Sequence, residues 1–121
     1  MKLATLNIDW GNKQKNKSHV LKIEEVLNAL DADILIITES VELNLPAYNF
    51  IYKTKALPKD QEYEGLSYSD YLNGSTGYRV SIYSKYQSAQ SYKVTDEYTS
   101  ICNQFETSVG TLIVYATIIG T

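Results

Sequence analysis

The chain has 121 residues, 44% of them hydrophobic and 21% charged; these proportions exclude intrinsic disorder and fit one domain, residues 1–121, or a large piece of one. Lys and Arg total 11 against 14 Asp and Glu, a net charge of −3 that argues against coating nucleic acid or anionic membrane by bulk charge while leaving room for a local phosphate site. A single cysteine, Cys102, and a single histidine, His19, rule out an internal disulfide, a cysteine-based zinc cluster and a His-rich metal site.

Lys2 to Ile8 reads as a strand, with apolar Leu3, Leu6 and Ile8 around β-branched Thr5. The opening turns polar too soon for a signal peptide. No later apolar run reaches the roughly 18 residues of a membrane span, so the expected setting is soluble, reducing and cytoplasmic. Gly11 and Asn12 break the strand, and Lys13 to Lys17 is a polar, basic connector or a phosphate-contacting loop. Ser18 to Leu30 is a helix: Val20, Ile23, Val26, Leu27 and Leu30 form one apolar stripe, and Ser18 is placed to cap the first turn. His19 lies just inside that start and reads as a surface residue.

Asp31-Ala32-Asp33 turns the chain into Ile34-Leu35-Ile36-Ile37, a β-branched apolar run of the kind that forms a strand buried on both faces. Strand, helix and buried strand make a βαβ unit with parallel strands. Both strands then end at one edge of the sheet, where the first offers Asn7 and Asp9 and the second Thr38 and Glu39. Trp10, just beyond, reads as a packing or rim residue.

Tyr48 to Lys55 is the next expected strand, followed by a long irregular stretch from Ala56 to Gly77 with one helical turn at Ser69 to Leu72. Tyr78 to Lys85 alternates as a strand, Tyr92 to Val94 is a weak one, and Ser100 to Thr107 and Thr111 to Ile119 flank a hairpin connection at Ser108-Val109-Gly110. Cys102 reads as a small packed residue. Tyr occurs 11 times against 2 Phe and 1 Trp. The plain reading is amphipathic strand faces, and a base- or sugar-stacking surface is the alternative.

One pairing carries chemistry: an amide and a carboxylate on adjacent parallel strands, at the carboxyl edge where open α/β sheets bind ligands. Magnesium takes oxygen ligands, keeps several waters, and needs only one or two carboxylates beside a substrate phosphate. The competing reading is that Asn7 satisfies a strand end and Glu39 is an exposed strand terminus.

Lys2-Leu3-Ala4-Thr5-Leu6-Asn7-Ile8, a helix, and then Asp33-Ile34-Leu35-Ile36-Ile37-Thr38-Glu39 resemble the opening of the endonuclease/exonuclease/phosphatase (DNase I-like) superfamily. Gly77 to Lys85 is similar to that family's Gly, aliphatics, Ser, Lys strand, and Gly110 to Thr117 resembles the segment leading to its central His or Tyr. The resemblance implies an α+β fold: half of a four-layer α/β/β/α sandwich, with one mixed β-sheet, helix cover on one face and the far face uncovered. It implies a phosphoesterase dependent on Mg2+, with Mn2+ as an alternative, acting on a phosphodiester or phosphomonoester such as nucleic acid, an inositol phosphate or a lipid phosphodiester. Glu39 matches the metal ligand and Asn7 the residue that helps position metal and phosphate. Arg79 is the candidate phosphate contact, against a plain surface strand residue; Thr117, with Tyr115 two residues before it, stands where the family places His or Tyr. The family's Asp-x-Asn motif and closing Asp-His pair have no counterpart here, which implies a weakly active or inactive half-site. It also implies that the chain self-associates face to face or pairs with a missing C-terminal half. A non-catalytic binding or assembly module on the same scaffold is the competing function.

Overall fold

A computed structural model describes residues 1–8, 17–57, 62–63, 66–67 and 78–119. The described residues form an α+β arrangement. β1 (Leu3–Asn7), α1 (Lys17–Leu30) and β2 (Ile34–Thr38) come first, then β3 (Phe50–Lys53) and the short β4 (Glu62–Tyr63) and β5 (Leu66–Ser67). β6 (Val80–Ser84), β7 (Ser88–Tyr92), β8 (Ser100–Thr107) and β9 (Gly110–Thr117) follow.

The opening βαβ unit is present, and β1 runs parallel to β2 with Leu3 opposite Ile34 and Asn7 opposite Thr38. β2 and β3 both pair antiparallel with β6, giving a mixed sheet ordered β1-β2-β6-β3. Central placement explains the unbroken apolar run of β2, because one side of it faces α1 and the other a second sheet. Leu35 and Ile37 join Leu27 of the helix, Leu43, Leu45, Tyr48 and Tyr83 in one core cluster. Ile34 joins Val80 and Ile82 in a second cluster with Phe105, Val114 and Ala116.

That second cluster corrects the expectation of a single sheet with a bare far face. β7, β8 and β9 form their own antiparallel sheet, and its inward residues cover the first sheet. Alternation within each strand reads the same whether the far side meets water or another sheet, so the second layer was not legible. The alternation of β6 illustrates this: all five of its residues are buried, with Tyr83 toward the helix layer and Val80 and Ile82 toward the second sheet. Tyr52 of β3 meets Phe105 of β8 edge-to-face across the interface, ring centroids 5.9 Å apart.

Cover is incomplete at β1. Leu3 and Thr5 share a face with Ile34 and Ile36, yet Leu3 is 51% exposed, so the second sheet stops short of this edge strand.

Several local expectations shift. The helix begins at Lys17, so Ser18 lies within it and is not its N-cap. Of the expected apolar stripe, Leu30 is 38% exposed and Val26 is 57% exposed. Val26 precedes Leu27 by one residue, about 100° around the helix, while Leu27, Val20 and Ile23 make the packed face. The helix ends at Leu30; Asp31 follows with a φ of 50°, the left-handed step that closes many helices, and Lys2 Nζ donates to the Leu30 carbonyl at 2.8 Å. Tyr92 to Val94 is replaced by Ser88–Tyr92, and a two-stranded ladder of β4 with β5 interrupts the stretch read as irregular. Asp9, Trp10, residues 13–16 of the basic connector and the helical turn at Ser69 to Leu72 lie outside the described residues. Among the described residues no helix is long and apolar enough to cross a membrane.

Candidate functional site

The parallel register fixes the site. Asn7 is level with Thr38, and the ladder runs one residue further, with Ile8 N–H donating to the Thr38 carbonyl at 3.0 Å. Asn7 and Glu39 therefore stand at the same end of neighbouring strands, Glu39 one residue beyond the Thr38 that lies an interstrand spacing of about 4.8 Å from Asn7. Glu39 leaves the strand with φ at 51°, a left-handed conformation that L-residues other than Asn and Asp seldom adopt. Its amide N–H donates to the Arg79 carbonyl at 3.0 Å, which holds this backbone in place.

Arg79 is positioned in turn by Thr54. Buried Thr54 Oγ1 accepts from the amides of Arg79 and Val80, both at 3.2 Å, and the Thr54 amide donates to the Val80 carbonyl at 3.0 Å. The rim thus runs Asn7, Thr38–Glu39, Arg79–Val80, Thr54, one strand after another. Thr54 was not singled out in the sequence: nothing local marks it, and its role comes from the antiparallel pairing of β3 with β6.

Beyond Thr54 the rim passes to the second sheet. The Lys55 amide donates to the Glu97 carbonyl at 2.9 Å and the Lys55 ammonium meets the Glu97 carboxylate at 2.6 Å. Thr117 lies at this end as well. Its hydroxyl is turned to its own sheet, 2.8 Å from Ser100 Oγ and 3.3 Å from the Thr99 carbonyl, and Tyr115 Oη donates to the same Ser100 Oγ at 3.2 Å. Inward-facing Val114 and Ala116 alternate with Tyr115 and Thr117, so both candidates for the family's His or Tyr position lie on the outer face of the second sheet. Asn7 is on the same face of its sheet as Thr38 and Val80, toward the interface. The structure brings the backbones of Asn7, Glu39 and Arg79 to one rim, with Asn7 on the face of Thr38 and Val80; it brings Thr117 to the same end on the outer face of the second sheet.

Charge at the rim is largely internally balanced. Lys53 pairs with Glu42 at 2.7 Å and stands 4.8 Å from the centre of the Tyr78 ring. The hydrogen bond from Lys53 holds the Glu42 carboxyl below its ordinary pKa, and the bond to Glu97 raises that of Lys55. Among the described residues no group of three or more His, Cys, Asp or Glu gathers to hold a metal. Glu39 and Asn7 offer one carboxylate and one carboxamide at this edge, hard-oxygen donors of the kind that suit a cation keeping most of its own waters. No protein-family model matches the chain, and no curated protein matches it significantly.

Proposed function

We propose that the Asn7–Glu39 rim is the metal- and phosphate-binding half of a phosphoesterase site, and that the three layers here are part of a four-layer sandwich. The observation that supports this most is the parallel register of β1 and β2, which ends both strands at one sheet edge, with Asn7 opposite Thr38 and Glu39 the next residue along. The left-handed backbone at Glu39 adds to it, since strain of about 1–3 kcal/mol at one residue tends to mark functional positions.

Glu39 would hold Mg2+ or Mn2+, with Asn7 donating to a phosphoryl oxygen or orienting a metal-bound water. Bound there, the cation would polarise the phosphoryl oxygen and offset charge on the leaving oxygen. Arg79 adds a planar guanidinium whose paired donors match phosphate oxygens. The other charged groups described along this rim are closed into the Lys53–Glu42 and Lys55–Glu97 pairs, so the chain would orient and bind a phosphoester far better than it cleaves one; a general acid or base contributes about 10²–10⁴ in rate.

Metal binding is the direct test. Mn2+ titrated into 15N-labelled protein should broaden amide signals around Asn7, Thr38 and Glu39, and Glu39→Ala should abolish the effect while leaving the spectrum folded. Broadening that persists unchanged in Glu39→Ala would take Glu39 out of the site.

The assembly-module reading is favoured by a separate observation. β9 is an eight-residue edge strand with no charged residue, no Pro and no bulge, and Ile113 on it is 56% exposed. Natural proteins usually blunt such edges, as β7 is blunted by its bulge between Ser88 and Gln90. Self-association, or docking of a complementary half, would run through the open β1 and β9 edges rather than through a bare sheet face. Size-exclusion chromatography with light scattering, comparing Ile113→Lys with the natural chain, separates a concentration-dependent oligomer from a monomer.

A further inference from the structure

The two sheets part at the edge opposite β1. There β3 and β7, each the outer strand of its sheet, are separated by a cleft of about 660 Å³ lined by Tyr52, Thr54, Ser88, Ser91, Tyr92 and Asn103, among others. The volume is in the range of small-ligand pockets, about 300–1,000 Å³.

Asn103 is only 3% exposed. Its Nδ2 donates to Ser88 Oγ at 2.9 Å, but its Oδ1 is buried with no hydrogen-bond partner. Ser88 Oγ cannot serve it, because that hydroxyl already donates to the Gln90 carbonyl at 3.1 Å. An orphaned buried acceptor is costly unless a ligand or water fills it. On the other side of Ser88, the Tyr52 hydroxyl accepts from the Ser88 amide at 2.7 Å, and its own proton reaches no acceptor among the described residues. One unfilled acceptor and one unfilled donor therefore flank a single residue inside one cleft.

Electrostatics favours a neutral occupant. Lys53 and Lys55, which line the cleft toward the rim, are closed onto Glu42 at 2.7 Å and Glu97 at 2.6 Å. Lys93 is exposed to solvent, where water screens its charge. A hydroxyl is the group that meets both needs at once, since it donates and accepts through one oxygen. Ser91 of β7, level with Asn103, and Thr54 add further polar groups to the lining.

We propose that this cleft binds an uncharged polyhydroxyl ligand of mono- or disaccharide size, one hydroxyl of which donates to Asn103 Oδ1 and accepts from the Tyr52 hydroxyl. Neither Asn7 nor Glu39 lines the cleft, so the proposal stands independently of the phosphoesterase reading.

The test is a titration of the 15N-labelled chain with methyl glucoside and with maltose, alongside inorganic phosphate. Either sugar should give saturable shifts centred on the amides of Thr54, Ser88 and Asn103. Tyr52→Phe keeps the ring against Phe105 and removes one hydroxyl; it should weaken sugar binding about five- to tenfold, the worth of one hydrogen bond. Asn103→Leu, scored only if its spectrum stays dispersed, should abolish it. Three results overturn the proposal: no saturable shift with either sugar through the tens-of-millimolar range, which would leave the cleft to water; equal or stronger shifts at these amides with phosphate; or sugar affinity unchanged in Tyr52→Phe.

Discussion

Thr54→Val swaps a hydroxyl for a methyl at nearly constant volume, so it isolates hydrogen bonding from packing. Thr54 is 3% exposed and its Oγ1 accepts from two backbone amides, Arg79 and Val80, each at 3.2 Å. Valine leaves both donors without that acceptor. The Val80 carbonyl loses little, because it still accepts the residue-54 amide at 3.0 Å. Val80 is fully buried, so its stranded amide carries the full penalty, about 1–3 kcal/mol; Arg79 is half-buried and water relieves part of its cost. The sum is about 2 kcal/mol, or a fall in melting midpoint of roughly 6–10 °C for a domain of this size. Thr54→Ser keeps the hydroxyl and should lose under about 1 kcal/mol, the value of one methyl group. Thermal unfolding followed by circular dichroism, with urea denaturation as a second measure, compares the three proteins. If Thr54→Val matched the natural chain, or if Thr54→Ser were the less stable of the two, the rim would not be held by this hydroxyl and the positioning of Arg79 and Glu39 would need another cause.

Phe105 is fully buried between the sheets against Tyr52, so Phe105→Ala should cost about 3–5 kcal/mol in urea denaturation; a loss below about 1 kcal/mol would mean that the sheets do not share a core. At Glu39 the left-handed φ predicts that Glu39→Gly is about 1 kcal/mol more stable than Glu39→Ala, since only glycine adopts that backbone without strain, while both lose metal binding. Equal stabilities would remove the strain from the account. Burial raises the Tyr83 and Tyr48 phenols above the ordinary tyrosine pKa near 10. The folded state then holds protons that the unfolded state releases, so their contribution is full below pH 10 and is lost as pH climbs through the raised values. Urea midpoints should therefore fall between pH 9.5 and pH 11, and Tyr83→Phe should flatten the fall; an equally steep fall in Tyr83→Phe would assign it elsewhere.

Elements whose pattern is local were legible from residues alone. The βαβ opening was, because Ile34 to Ile37 has no polar interruption and the stripe of α1 is periodic; with it came the placing of Asn7 and Glu39 at one strand end, which follows from parallel pairing alone. The β8–β9 hairpin was legible through its turn, where Gly110 takes a φ of 117° that a side chain would resist. The helix start was misplaced by one residue, because a serine near a helix start satisfies the same rule at several offsets.

What tertiary structure decided is which faces are covered and which side chains meet across sequence distance. A period of two says that a strand has two faces but not what lies on either, so the second sheet and the exposed Leu3 follow only from how far the β7–β9 layer reaches. Thr54 became an anchor of the rim, Asn103 an unfilled acceptor and Thr117 an outer-face residue for the same reason: a hydrogen bond between strands depends on register and layer order, and neither is written in the residues that make it.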